Sequence, residues 1–415
     1  MNAPQVHFEL GALKGEADPY AVYARAREDG PVQRSGDSWL VFGHVEAAQL
    51  LRSSSTRTGF MAQGFRSRLP EGAAREEMSN RINFIDPPRH TQVRKLVGMA
   101  FTPRRTRRLE PFIRDVARQL LAPLAGDEPV DLIRSYAHEV PSLVISELLG
   151  VPVEDRDRLT ALADRVSKLL GTGNTEAELA DAISGAEVMH ATFRSLIEDR
   201  RNEPQDDLLS ALLEAEEGDQ RLTESELLSL AATLYSAGHR TTRDLFTNGL
   251  TALLKEPEII ASLQDGSLPT EAVVEEFLRF ETPTHMVARI LEEPLELGGY
   301  EVPAGRPIAV MLAAANRDPR VYPDGDRFDP WRWTRTPEPA APLSFALGAH
   351  FCLGASLARL EASTMLKALL DEFPEIRLSD ASLKWHHTGV FRGVDELPVV
   401  LGPRAEPRDS DAGLP

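Results

Sequence analysis

Cysteine is nearly missing from this 415-residue chain, and Cys352 is its single one. That excludes an intramolecular disulfide and any multi-cysteine metal cage, leaving an inert buried thiol, a nucleophile or a lone thiolate ligand. Lysine is scarce too, with six residues in a basic total of 46 against 64 acids. The net charge of −18 argues against a general nucleic-acid binder or a protein held on anionic membranes. No run is long and apolar enough for a bilayer span, and the N-terminal stretch has neither a basic start nor an apolar core. A soluble, intracellular (cytoplasmic) protein is therefore expected. A Gly/Ser linker, a low-complexity tract and an internal repeat are also absent. The expectation is one mostly helical domain over residues 15–402, with tails at 1–14 and 403–415, the second of them disordered.

What surrounds Cys352 narrows its role. Gly348 and Gly354 lack Cβ, so the backbone can turn tightly around the sulfur and admit a large flat group. From Leu353 the spacing Leu353, Leu357, Leu360, Leu366, Leu369 predicts an amphipathic helix starting beside the cysteine. The free N–H groups and dipole at such a helix start favour thiolate over thiol. One thiolate on haem iron, with the opposite axial position open, is the ligation that favours O–O cleavage.

Upstream, Asp18-Pro19 opens a helix to about Glu28, Pro31 to Phe42 forms a hairpin turning at Ser35-Gly36-Asp37, and a short helix follows from His44 to about Arg52. Residues 55–86 are polar, punctuated by Gly and Pro and weakly periodic, which predicts a long functional connection. His90 and Arg94 are four apart and share one helix face, an arrangement suited to a pair of carboxylates and equally to a solvated surface. Thr102-Pro103 caps a further helix, and helices are expected over 131–149, 153–170, 175–202 and 206–217, with a lid across 167–185.

Thr223 and Glu226 form a capping box that starts a helix running to about Lys255. At its midpoint, Ala237-Gly238-His239-Arg240-Thr241 places glycine inside the helix, where it costs about 1 kcal/mol against alanine. Thr241 can hydrogen-bond the carbonyl of Ala237 and loosen the turn into a groove; close helix packing at small residues is the competing explanation. Downstream, Glu276 and Arg279 lie three apart on one helix face, and strands follow Pro283 as far as residue 311.

Taken together these stretches resemble the cytochrome P450 family. Phe345, Gly348, Cys352 and Gly354 fill its haem loop, F-x-x-G-x-x-x-C-x-G; Asp86, His90 and Arg94 fit D-x-x-x-H-x-x-x-R; Glu276 and Arg279 fit E-x-x-R. The resemblance runs from about residue 15 to 402. It implies the family's fold, mainly α with small β-sheets, and b-type haem held by Cys352. His90, Arg94, Arg289 and His350 would bind the propionates, and Phe345 and Gly354 would line the haem loop. Glu276, Arg279 and Arg332 would form a buried structural network. Residues 55–86, with Met286, Val287 and Val390 or Phe391, would border the substrate pocket. It also implies O₂ activation with electrons from NAD(P)H through ferredoxin reductase and a ferredoxin, for which the cluster Arg104, Arg105, Arg107, Arg108 is a docking patch or simply a solvated face. The substrate would be a small organic molecule, free or tethered to a carrier protein, with secondary metabolism such as antibiotic biosynthesis as the expected setting.

One departure stands out. The family's central motif, A-G-x-[D/E]-T, matches at Ala237, Gly238 and Thr241, but Arg240 occupies the acid position. A guanidinium has no proton to give at neutral pH. In order of preference, Arg240 pairs with Asp244 one turn on, or anchors a substrate carboxylate in a peroxide-using or decarboxylating enzyme, or belongs to a peroxygenase. A haem-binding interaction or sensor protein without turnover is the reading from a different class.

Overall fold

The computed structural model describes residues 18–171, 174–215, 220–337 and 339–405. Its centre is the helix Glu224–Leu253, whose Thr223 side chain accepts from the Glu226 N–H while Glu226 returns a bond to the Thr223 backbone. Thirty residues at 1.5 Å each give about 45 Å. Leu227, Leu230, Tyr235, Leu245, Phe246 and Leu250 bury its flanks in the main core. Around it pack Val153–Ser167 and Glu176–Asn202, Glu139–Leu149, Thr270–Phe280 and Ala355–Glu372. Gly249 lets the neighbouring helix approach, because a Cβ there would come within 2.1 Å of the Phe277 ring.

A five-stranded sheet stands beside this helical body, in the order Val32–Ser35, Ser38–Val41, Pro307–Met311, Met286–Leu291, Thr56–Arg57. Ser38–Val41 and Pro307–Met311 run parallel, with Trp39 opposite Ile308, and the remaining pairs are antiparallel. A short C-terminal hairpin, Trp385–His387 with Arg392–Val394, lies against the central helix. Gly393 makes that contact possible, since a Cβ would sit 2.7 Å from the Asp244 carboxyl carbon.

Several expected boundaries move. Residues 55–86 are mostly helical, with Gly59–Arg68, Ala73–Asn80 and a 3-10 turn at Ile82–Phe84. Tertiary burial of Phe65, Met78 and Ile82 holds helices that their local pattern does not announce. The expected lid is shorter: Val153–Ser167 runs into a 3-10 turn at Lys168–Leu170, and a Thr175 capping box already starts the next helix at Glu176. A π-turn, Ile133–Ala137, replaces the start of the helix expected from 131. At the C-terminus, Arg404 donates to Leu121 O and Leu124 O at 2.9 Å, so order extends past 402. The expected N-terminal tail and residues 406–415 lie outside the described residues.

Candidate active site

Cys352 sits two residues before Gly354, the N-cap of Ala355–Glu372. Its N–H donates to Phe345 O at 3.0 Å, closing the loop. Gly348, at φ +72°, packs so tightly on the helix His44–Arg52 that a Cβ would meet Leu51 O at 2.2 Å. The loop is also clamped from outside: Arg359 stacks over the Phe345 ring at 4.8 Å and pairs with Glu275. Cys352 is a free cysteine and is exposed as a residue, while its thiol lies among packed groups. Burial pushes the thiol above its ordinary pKa, although the Gly354 N–H, Arg94 and Arg359 pull it down. The helix start therefore does not by itself make a thiolate here, and a bound metal ion would supply the missing positive charge.

Four nitrogen-bearing side chains converge near this loop. His90 is buried, and neither ring nitrogen has a hydrogen-bond partner. Its ring lies 4.1 Å from that of His350. Burial, then His90, Arg289 and Arg94, push the His350 imidazole down to about 3. Arg289 is buried with only the Ala288 carbonyl as a described partner, and burial lowers it to about 10 against a weak pull from Asp86. Burial also lowers Arg94, with Cys352 opposing. Asp86, the acid nearest the group, already accepts from Thr58 N at 2.8 Å and Gly59 N at 2.9 Å. Two arginines and two imidazoles, with His90 and Arg289 buried, both His90 ring nitrogens orphaned and Asp86 already committed, suit an anionic group. The two propionates of a haem facing Cys352 fit that need.

On the central helix, Thr241 Oγ1 donates to Ala237 O at 2.7 Å, yet the helix runs unbroken. Ala237 is exposed and Thr241 half-exposed on a helix otherwise largely buried. Gly238 serves packing instead, because its missing Cβ would meet Ile145 at 3.2 Å. Arg240 reaches sideways. Its Nη1 donates to Ser167 Oγ at 3.3 Å, Nη2 lies 3.4 Å from His386 Nε2, and Nε is 3.9 Å from Asp244 Oδ2. Asp244 is buried; desolvation raises its pKa, but Arg243, His386 and Arg240 together hold it below the usual carboxylate range. Among the three explanations for Arg240, this geometry matches pairing with Asp244. Spacing alone suggested Asp244, whereas Ser167 and His386 carried no signal, since both come from distant segments.

Glu276 and Arg279 are fully buried and form a bidentate pair at 2.7 and 2.8 Å. Arg332 reaches Glu276 at 3.2 Å, and the Trp333 indole donates to it at 3.0 Å. Arg279 also donates to Asn316 O at 3.1 Å, and Asn316 accepts from Leu343 N at 2.7 Å, immediately before the cysteine loop. Along Met286–Leu291 successive side chains alternate faces. Met286 packs toward Tyr20 and Tyr23, while Val287 packs on the Val41–Ile308 side, so the two do not border one surface together. Val390 and Phe391 are half-buried in the hairpin turn, with Val390 O accepting from His285 N at 2.8 Å.

The model of the cytochrome P450 family matches residues 39–267 and 268–381. The chain is 37% identical to the vitamin D(3) 25-hydroxylase of Pseudonocardia autotrophica, over 94% of this chain and 95% of the relative. It is 38% identical to the P450 monooxygenase PikC of Streptomyces venezuelae, over 94% and 93%. The structure of P450BioI in complex with a hexadecenoic-acid-ligated acyl carrier protein superposes with a TM-score of 0.84, at 33% identity, covering 92% of this chain and 98% of that one. The chain belongs to the cytochrome P450 family and is a P450 monooxygenase.

Proposed function

We propose that this monooxygenase holds b-type haem through Cys352, takes electrons from a ferredoxin fed by ferredoxin reductase and NAD(P)H, and hydroxylates or otherwise oxidises a small organic substrate in secondary metabolism. The observation that carries the haem reading is the group His90, Arg94, Arg289 and His350 beside the sulfur, with His90 and Arg289 buried and both His90 ring nitrogens without a hydrogen-bond partner. When bound, a thiolate-ligated haem supplies the reductive cleavage of dioxygen. The protein's contribution is positional. The four basic groups hold the propionates, and the Glu276 network fixes the loop that presents Cys352. Thr241, with its proton committed to Ala237 O, keeps lone pairs free to accept from water in the cleft. Arg240, tied to Ser167 and near Asp244, gives no proton itself, so protons arrive through water ordered at Thr241.

The exposed arginines Arg104, Arg107 and Arg108, together with Met99 at 53% exposure just before them, support this face as the docking site for an acidic ferredoxin. Arg105 and Arg108 already share one acid, Asp206, at 3.6 and 3.4 Å, which leaves Arg104 and Arg107 as the sharper test.

A Soret titration with matched free acids and neutral esters tests the substrate reading. With Arg240 engaged inside the protein, both forms of a true substrate shift the spin state alike, and Arg240→Ala does not select between them. A shift confined to the acid and lost in Arg240→Ala would make Arg240 a carboxylate anchor instead. Because P450BioI was captured with an acyl carrier protein, the same titration includes a carrier-tethered arm.

A further inference from the structure

Three side chains from three elements meet where Val153–Ser167 packs on the central helix. His138 stands just before Glu139–Leu149, Asp164 lies in the last turn of Val153–Ser167, and His239 lies in the middle of Glu224–Leu253. One ligand atom from each falls within 4.8 Å of the other two. His239 is fully buried. Its Nε2 lies 3.2 Å from Asp164 Oδ1, whereas its Nδ1 is buried without a hydrogen-bond partner. The His138 ring stands edge-on to it at 5.3 Å between centroids. A hydrogen-bonded His–Asp pair explains two of these residues. It explains neither the second imidazole beside them nor the orphaned nitrogen.

We propose that His138, Asp164 and His239 form a binding site for a divalent transition ion of the zinc class. Two imidazoles and one carboxylate are a ligand set that suits zinc, cobalt or nickel, with a fourth position left for water. Asp164 keeps 41% of its side-chain exposure, so the ion has an entry path from solvent. Bonds of about 2.1 Å in a tetrahedral shell place ligand atoms roughly 3.4 Å apart, so no separation has to close by more than about 1.4 Å. Asp164, whose side chain is 41% exposed against 1% for His239, is the ligand with room for that movement. Arg243 is the cation that opposes an incoming ion, and it is already paired with Asp244 at 2.6 Å. An ion seated here ties Val153–Ser167 to the central helix one residue from the Arg240–Ser167 contact.

The test uses tag-free, haem-loaded protein stripped of adventitious metal, titrated with zinc chloride by calorimetry and then studied by zinc X-ray absorption. The expected result is one zinc per chain in a shell of two imidazoles and a carboxylate, with slower amide exchange over residues 160–170 when zinc is present. His138→Gln, a change at a half-buried position, and Asp164→Asn should each weaken binding at least about tenfold and abolish the exchange effect. No zinc binding to the wild type would overturn the proposal and leave a His–Asp pair alone. Equal binding by wild type and His138→Gln would overturn it too, placing any zinc elsewhere.

Discussion

Arg240 stands where the family motif has an acid, and its neighbours explain how a buried helix tolerates a cation there. Asp244 balances both Arg240 and Arg243. Replacing it by asparagine leaves two partly buried cations without a counter-charge, and the expected loss is about 3 kcal/mol in urea unfolding at pH 7. Because the folded-state pKa of Asp244 is depressed, its contribution is present above the ordinary aspartate pKa and is lost as pH falls through the folded value. The gap between wild type and D244N should therefore be the same at pH 7 and pH 5; a D244N protein of wild-type stability would contradict the assignment. Thr241→Ala should keep the Soret spectrum while lowering product formed per NADH at least about tenfold, with hydrogen peroxide released instead. An unchanged yield would remove Thr241 from the proton path. At this scale the sequence was most legible where chemistry demands fixed spacing, as in the Cys352 loop and the Glu276–Arg279 pair. Contacts between distant segments, such as Arg240 with Ser167 and His386, leave no local trace.

The helix that begins beside Cys352 carries a second anomaly. Glu361 is 2% exposed, its Oε2 has no partner, and burial raises its pKa well above the ordinary value. The folded state then holds a proton that the unfolded chain releases above about pH 4.3, so stability falls as pH rises through that window. Glu361→Gln, which keeps the shape and removes the ionisable group, should raise Tm by about 1–3 °C at pH 8 and by less at pH 5. A lower Tm at both pH values would mean that the carboxyl has a partner essential to the fold. Elements with strong signatures were readable in advance: the Asp18 cap, the His44–Arg52 helix and the Thr223 capping box. The helices within 55–86 were not, because their periodicity is weak and their stability comes from burying Phe65 and Met78 in the core, with Ala73–Asn80 packed on the central helix.

Across the whole molecule, burial lowers the pKa of several histidines, His285 and His387 among them. These two sit 3.1 Å apart with Tyr23 at 2.9 Å, and His387 is lowered to about 4. Below pH 6.5 the unfolded chain takes up protons that the folded chain refuses, so stability drops on acidification. The expected loss is about 2 kcal/mol per fully neutral histidine between pH 7.5 and 5. Urea unfolding at the two pH values measures it, and His387→Gln should flatten the dependence; an unchanged slope would mean that His387 titrates in the open. Fold class and haem domain were legible because the family's motifs occur in order along nearly the entire chain. The small sheets and the docking of the C-terminal hairpin depend on long-range closeness, as at Gly393 against Asp244.

The central claim is that Cys352 presents its sulfur to haem iron while His90, Arg94, Arg289 and His350 take the propionates. The most direct measurement is the absorption spectrum of the reduced, carbon monoxide-treated protein, taken for wild type, Cys352→Ala and Arg289→Ala. Wild type should show the red-shifted Soret band of thiolate ligation, Cys352→Ala should lose it completely, and Arg289→Ala should keep it unshifted with lower haem occupancy. A thiolate-type band that survives Cys352→Ala, or a wild-type protein that takes up no haem, would contradict that claim.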